Sequence, residues 1–496
     1  MKLSPTARSR RLHALDVLRG VAVFGILVVN VEQMFLPVSY ANDPVVAVPG
    51  AWGSTFAWFF TDALFESKFL TLFSLLFGAG FALQWQRSGR GGKDFVPRFL
   101  RRLVLLGGFG FAHAALFYSA DVLLIYALTA VLLIPWRRAR ARTLTIVGAV
   151  LLGLMMAWGT VISGPDASDT AARKRSAAQA VSEAREHGDV SFPELTLEKP
   201  ERLDVASFPE WELIEEGRKI RIPATTYALP MPAKPALLML DSGGKEHKAL
   251  VEFAVLSQGP VHAAVGVRLT HFARLIMLIL PLYLGWRTLA LFLLGTAFVK
   301  SGRLTAEPTR FWHRARWIGL AVGVPLTLLA SAIRLVAFES QSIWIYAGHL
   351  LHDASSLLLA AGIAGAVWLW ASPGLRSLPL RSLAAVGRTA LTNYIGQSAV
   401  MSILATSYGL GLYGSLSRLQ LLGLALLCFV LQMIVSVWWL QRFRIGPLEW
   451  IWRCFTYWRL VPLRADTGST AGNRPPKALG GGAEPGRGEI PSNDAP

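Results

Sequence analysis

Cysteine is nearly absent from this chain: Cys428 and Cys454 are the whole complement, one inside an apolar run and one just past the last. Two such residues make neither a disulfide framework nor a metal spacing, so a disulfide-stapled secreted fold is excluded. Charge is scarce too. Only 16% of the 496 residues are Asp, Glu, Lys or Arg, against roughly a quarter in a water-soluble domain. The nine histidines show no metal signature, because no HxxxH-type pair has its further ligands. No small-residue cleavage site follows the first apolar run, which reads as a retained helix rather than a signal peptide.

What is present is apolar surface. Hydrophobic residues make up 53% of the chain, and its mean hydropathy is +0.44. They come in runs of about 17–25, the length that crosses roughly 30 Å of hydrocarbon. Seventeen tryptophans suit the amphipathic belts at membrane–water boundaries. The sequence therefore predicts an all-α integral membrane protein, a polytopic bundle of about ten transmembrane helices with one extracytoplasmic α+β insertion. The spans fall near 17–36, 69–86, 99–118, 122–136, 143–162, 272–299, 316–336, 343–371, 383–405 and 418–441. Trp52–Phe65 reads as an interfacial or re-entrant helix leading into the second of them.

Basic residues sit between the spans rather than on one surface. Lys2, Arg8, Arg10 and Arg11 precede the first, Arg87 to Arg102 flank the second turn, and Arg137 to Arg142 the fourth. The intervening short loops are almost free of Lys and Arg, so the positive-inside rule puts both termini in the cytosol and the chain in the cell inner (cytoplasmic) membrane. The net charge of +18 is thereby explained by topology. No basic patch is interleaved with exposed aromatics as in a single-strand binder, and no nucleic acid is expected. The partner is the lipid bilayer. Four regions follow: an N-terminal bundle over 1–162, an extracytoplasmic insertion over 163–267, a C-terminal bundle over 268–460 and a disordered tail over 461–496. Within the insertion, Ala171–His187 reads as an exposed helix and Ala236–Val255 as a β-hairpin turning at Asp241–Gly244.

Ionisable groups inside a span are expensive and mark candidate sites. Asp16 and Arg19, at i,i+3, share a helix face and can pair; a topology anchor is the plainer reading. Arg98, Arg101 and Arg102 crowd one helix end and could clamp a phosphate bidentately, though ordinary membrane anchoring explains them equally well. His113 lies deep in the third span, where an imidazole can act as general base or proton shuttle. Asp121 marks the outer turn. On one continuous helix the two stand eight residues and about 12 Å apart, out of direct contact but able to line one cavity, and a His held by a backbone carbonyl is the simpler alternative. His349 and Asp353, at i,i+4, can pair, with His352 between them. In the ninth span Asn393, Tyr394 and Gln397 gather polar groups within two turns, as interhelical glue or as a cavity wall.

The run Leu15-Asp16-Val17-Leu18-Arg19-Gly20 resembles the opening of the YeiB-like family, named for a domain of unknown function, DUF418. Lys68 through Gly80, Arg101-Arg102 through His113 to Asp121 and Tyr126, Leu391-Thr392-Asn393-Tyr394, and Gly446 through Arg453 agree with it in the same order. The likeness covers about 12–136 and 268–459. That family is grouped with transmembrane acyltransferases, which carry an acyl group from cytosolic acyl-CoA to an extracytoplasmic sugar or polymer. The resemblance implies an acyltransferase-like protein acting on an envelope glycan or lipid, with acyl-CoA as donor substrate and no tightly bound cofactor or metal. Arg98, Arg101 and Arg102, with Asp16 and Arg19, would meet the donor. His113 and Asp121 would be the catalytic residues, His113 removing the acceptor's proton and Asp121 lining the cavity with Asn393, Tyr394 and Gln397. One departure stands out. Acyltransferase family 3 places a catalytic His toward the outer end of the first helix, where this chain has Val29-Asn30, and Asn cannot take a proton as a base. A transporter or flippase using His113 as a proton relay, or a non-catalytic scaffold, are the competing readings.

Overall fold

The computed structural model describes residues 5–41, 51–88, 94–162, 211–215, 218–222, 252, 255–257, 259–304, 310–340, 343–372 and 377–464. Helices α1 (Pro5–Phe35), α2 (Ala51–Leu64), α3 (Lys68–Arg87), α4 (Phe95–Leu116) and α5 (Val122–Val131) come first, followed by α6 (Ala141–Ile162). A two-stranded antiparallel ladder comes next, β1 (Trp211–Glu215) and β2 (Arg218–Ile222), with Trp211 opposite Ile222. Then come α7 (Val261–Lys300), α8 (Arg310–Ala321), α9 (Gly323–Ser340), α10 (Trp344–Ala371), α11 (Leu378–Arg388), α12 (Ala390–Ala405), α13 (Arg418–Arg442) and α14 (Pro447–Tyr457). Among the described residues eight helical segments are long and apolar enough to cross a membrane. The chain is a multi-pass membrane protein.

Eight of the ten expected spans are those segments. The other two differ in build. Helix α5 is ten residues long and gives way to a 3-10 turn at Pro135–Arg138. The ninth region is split at Thr389, whose backbone (φ −112°, ψ 34°) leaves the helical range. Trp52–Phe65 is helix α2, which leads through a bend at Phe65–Ser67 into α3, the two forming the segment Gly53–Arg87. The expected hairpin at Ala236–Val255 and the helix at Ala171–His187 fall almost wholly outside the described residues, as does most of the tail. The first tail residues are anchored: Arg444 N–H donates to Leu463 O at 2.9 Å.

The bends have local causes. At the α2–α3 junction the amides of Phe65 and Glu66 both turn to Thr61 O, Ser67 takes a left-handed φ of 64°, and the Asp62 carbonyl loses its helical donor. Inside α7 the stretch Leu275–Leu284 widens to a π-helix around Pro281, which has no N–H and crowds the preceding turn.

Helix α1 is the central strut, touching α3, α10, α11, α12 and α13, while α8 and α9 lie along α10. Since lipid tails are as apolar as leucine, association within the bilayer depends on close packing and polar contacts rather than on excluding water. The crossing of α3 with α7 illustrates this. A Cβ on Gly78 would stand 2.1 Å from Phe292 O, and one on Gly295 would stand 2.1 Å from Leu75 O. The same contact lets Thr296 donate to Gly78 O at 3.0 Å. Gly78→Leu should therefore pry the two helices apart and destabilise the protein by about 3 kcal/mol. Thermal unfolding of purified protein reads this directly, and a midpoint unchanged from wild type would contradict the crossing.

Candidate functional site

Helix α4 ends three residues after His113, and the chain doubles back. The amides of Phe117 and Tyr118 both donate to His113 O, at 2.9 and 3.0 Å. Five residues later Asp121 starts α5 as its N-cap, accepting Leu124 N–H on Oδ2 at 2.8 Å. Its other oxygen lies 2.9 Å from His113 Nδ1. The separation of about 12 Å expected for one continuous helix is thus replaced by direct contact, because the reversal at 117–121 folds the two residues together. Both side chains are fully buried. A carboxylate can only accept, so the hydrogen belongs on Nδ1 and Nε2 is left with a lone pair. That Nε2 is buried with no hydrogen-bond partner among the described residues. The Tyr394 ring lies tilted 4.9 Å from the imidazole. One turn further along α12, Gln397 is also buried, and both its amide atoms lack partners.

The remaining predicted residues are distributed differently. Asp16 and Arg19 pair at 3.0 Å at the other end of α1, where a Cβ on Gly387 would meet Asp16 O at 1.8 Å. Two motifs far apart in sequence are thus face to face. Arg98 is exposed and turns back to Asp94, its Nε donating to the carbonyl at 2.8 Å, and Arg101 is exposed. Arg102 is half-buried and lies over Trp452 of α14, 4.3 Å from the ring centre, while the Trp452 indole donates to Arg102 O at 3.0 Å. Asn393 stands apart from His113's cluster in its bonding. Its amide donates to Thr389 O and Oγ1 and to Ser436 of α13, at 3.1, 2.8 and 2.9 Å. It bridges the break before α12. Glu449 of α14 completes that junction by accepting Leu391 N–H at 2.7 Å and Thr392 Oγ1–H at 2.6 Å.

Of a second buried polar centre, sequence reasoning named His352 and Asp353 and missed their partners Asp62, Lys68, Arg287 and Arg334. Asp62 accepts from Ser331 Oγ at 2.6 Å and pairs with Arg334. Lys68, fully buried, donates to the orphaned Asp62 carbonyl at 2.6 Å and lies 2.8 Å from His352 Nε2. Deeper along α3, Arg287 of α7 stands 3.6 Å from Asp353, and Tyr283 donates to the same carboxylate at 3.4 Å. Asp353 therefore looks across to α7 rather than along its own helix to His349. A small cleft beside this centre is lined by Glu32, Gln33, Trp58, Asp62 and Glu66. Arginines inside apolar runs, at 287 and 334, were the available signal.

Residues 298–459 match the family model described as "Protein of unknown function (DUF418)". The chain is similar to the uncharacterized protein YxaH of Bacillus subtilis, 28% identical over 94% of this chain and 99% of that one. It is likewise 28% identical to the uncharacterized protein YeiB of Escherichia coli, over 89% of this chain and 95% of the relative. An uncharacterized 39.9 kDa protein of Bacillus acidopullulyticus is 26% identical over 93% of this chain and 98% of its own. No solved structure matches the chain. The matched region runs from the end of α7 through α14, the relatives align over most of the length, and the chain is thus similar to the YeiB-like proteins of the DUF418 family.

Proposed function

We propose that the chain is an acyltransferase-like protein of the cytoplasmic membrane, crossing it ten times with both termini in the cytosol, and that it modifies an envelope glycan or lipid. The observation that carries this reading is the buried His113–Asp121 pair, with Nδ1 held by a carboxylate and Nε2 open. That is the arrangement of a general base fixed in one tautomer by its neighbour. His113 takes the proton of an acceptor hydroxyl or amine as the acceptor attacks the thioester carbonyl. The carbon–sulfur bond breaks, and the departing thiolate recovers the proton from the imidazolium. Tyr394 and Gln397 bound the reacting groups. Acyl-CoA is the donor substrate, its phosphates meeting Arg98, Arg101 and Arg102 at the cytosolic end. Arg101 and His113 are twelve residues apart on α4, about 18 Å by helical rise, so an extended thioester arm has to cover that span. The 163–267 insertion faces outward.

The test compares envelope lipids and glycans by mass spectrometry with and without the gene. An acyl group should vanish with the gene, return with wild type and stay absent with His113→Ala; restoration by His113→Ala would remove the base. Substituting Arg101 and Arg102 together by Gln should weaken acyl-CoA binding about 100-fold while the protein remains in the membrane, as equilibrium binding to purified protein would read. A transporter is the second reading, favoured by the Arg287–Asp353 and Lys68–His352 contacts inside the spans. Uptake into proteoliposomes without any acyl donor would decide for it.

A further inference from the structure

Arg268 lies on α7, is 6% exposed, and has no carboxylate partner among the described residues. Its guanidinium donates at 2.8 Å to Leu116 O, the last residue of the helix that carries His113, and at 2.8 Å to Ser402 Oγ. The Tyr408 ring lies 5.7 Å away. These neighbours are all neutral, yet a guanidinium cannot shed its proton, and a buried cation without a counter-ion is costly. Arg268 lines a cleft shared with Gln33, Tyr118, Glu252, His271 and Tyr413. The one carboxylate there is engaged elsewhere: Glu252 accepts from Val38 N–H at 3.2 Å and Tyr413 at 3.0 Å, and lies 3.3 Å from His271. Tyr118 closes the cleft toward the dyad, its ring 6.2 Å from His113 and its hydroxyl 2.5 Å from Gln33 Oε1.

We infer that this cleft is an anion site, in which a phosphate or carboxylate of the ligand supplies the counter-charge that Arg268 lacks. Arg is suited to this because its planar fork binds both oxygens of such a group. Two of its nitrogens already point at Leu116 O and Ser402, so the fork is held in place before the ligand arrives. The anion would sit beside the helix end that bears His113 and so act as a handle on an anionic acceptor. That last step rests on the acyltransferase reading above; the anion site does not.

The experiment uses the full chain in nanodiscs of zwitterionic lipid, titrated with inorganic phosphate, and in nanodiscs containing phosphatidylglycerol, with thermal unfolding as the readout. The wild type should be stabilised saturably by phosphate if the anion is water-borne, or only in the phosphatidylglycerol discs if it is a lipid headgroup. Arg268→Gln should weaken the response at least about ten-fold. Arg268→Lys should keep part of it, and His113→Ala all of it. No saturable response in the wild type, or an undiminished one in Arg268→Gln, would overturn the proposal. If Arg268→Gln does not accumulate, Ser402→Ala provides the second arm. It frees one guanidinium nitrogen and should leave anion affinity equal or higher; loss of the response there would count against the site. An anion response retained by His113→Ala, alongside unchanged envelope acylation, would discard the acyl-transfer reading and keep the anion site.

Discussion

Asp62→Ala should be among the most damaging single changes in the molecule, lowering stability by about 3–5 kcal/mol. Asp62 is 1% exposed and holds Arg334 and Ser331 at once. Removing its carboxylate takes from Arg334 its direct ion-pair partner inside a span and leaves it beside the Trp58 ring, 5.8 Å away, and within the field of Glu66. Asp62→Asn should cost less, because the amide oxygen can still accept from Ser331 while the charge is lost. Removing Arg334 as well should recover part of the loss, since no orphan charge then remains; neighbours in one network couple by about 0.5–3 kcal/mol. Thermal unfolding of these purified variants and of the Arg334 single variant checks this. A double variant as unstable as the sum of its singles would mean that the two side chains do not act as a pair.

Most of the fold was legible because a bilayer dictates helix length. Runs of apolar residues long enough to cross hydrocarbon have few alternatives to a helix, and eight of the expected spans are found, those expected at 69–86 and 272–299 being extended at their N-terminal ends to Gly53 and Val261. The exceptions arose where apolarity and helix continuity part company. Val122–Pro135 is as apolar as a full span, yet the α-helix ends at Val131 and tighter turns lead from Leu132 into the 3-10 turn at Pro135. The ninth region is polar at Thr389, Thr392 and Asn393: Thr389 and Asn393 reach back to carbonyls and a hydroxyl at the break, while Thr392 donates to Glu449, which caps from a helix more than fifty residues on. Asn393 and Gln397 share a face by spacing, but the break engages the first and leaves the second free.

The sites were legible in part for the same reason. His113 and Asp121 were each visible as polar residues in apolar surroundings, but their contact depends on a five-residue reversal that no periodicity encodes. Asp62 and Arg334 come from helices 272 residues apart, beyond the reach of any spacing rule. Arg268 was hidden by a boundary. The expected span began at 272, which left Arg268 in a loop where arginine is ordinary; the helix in fact begins at Val261, which carries Arg268 into the packed region against Leu116 and Ser402.

Asp121→Asn separates the chemistry of the dyad from its architecture. Asparagine is as good an N-cap as aspartate, so its oxygen can still accept Leu124 N–H and α5 should start where it does now. Stability should change by less than about 1 kcal/mol. The atom facing His113 Nδ1 becomes an amide N–H, which donates, so Nδ1 must now accept and the imidazole hydrogen moves to Nε2. The nitrogen left open in wild type then carries a proton and cannot take another. If His113 is the base, acyl transfer should fall by about 10²–10⁴-fold, the usual contribution of such a group, and the envelope acyl group should be missing despite normal protein levels. His113→Ala should reach the same floor, and the double variant should fall no further, because the two residues act as a unit. If Asp121→Asn instead keeps full acylation with unchanged stability, the pair is a structural latch between α4 and α5, and the base must be sought elsewhere. The Lys68–His352 contact is then the next place to look, since it holds another imidazole nitrogen 2.8 Å from a titratable partner in the interior of the bundle.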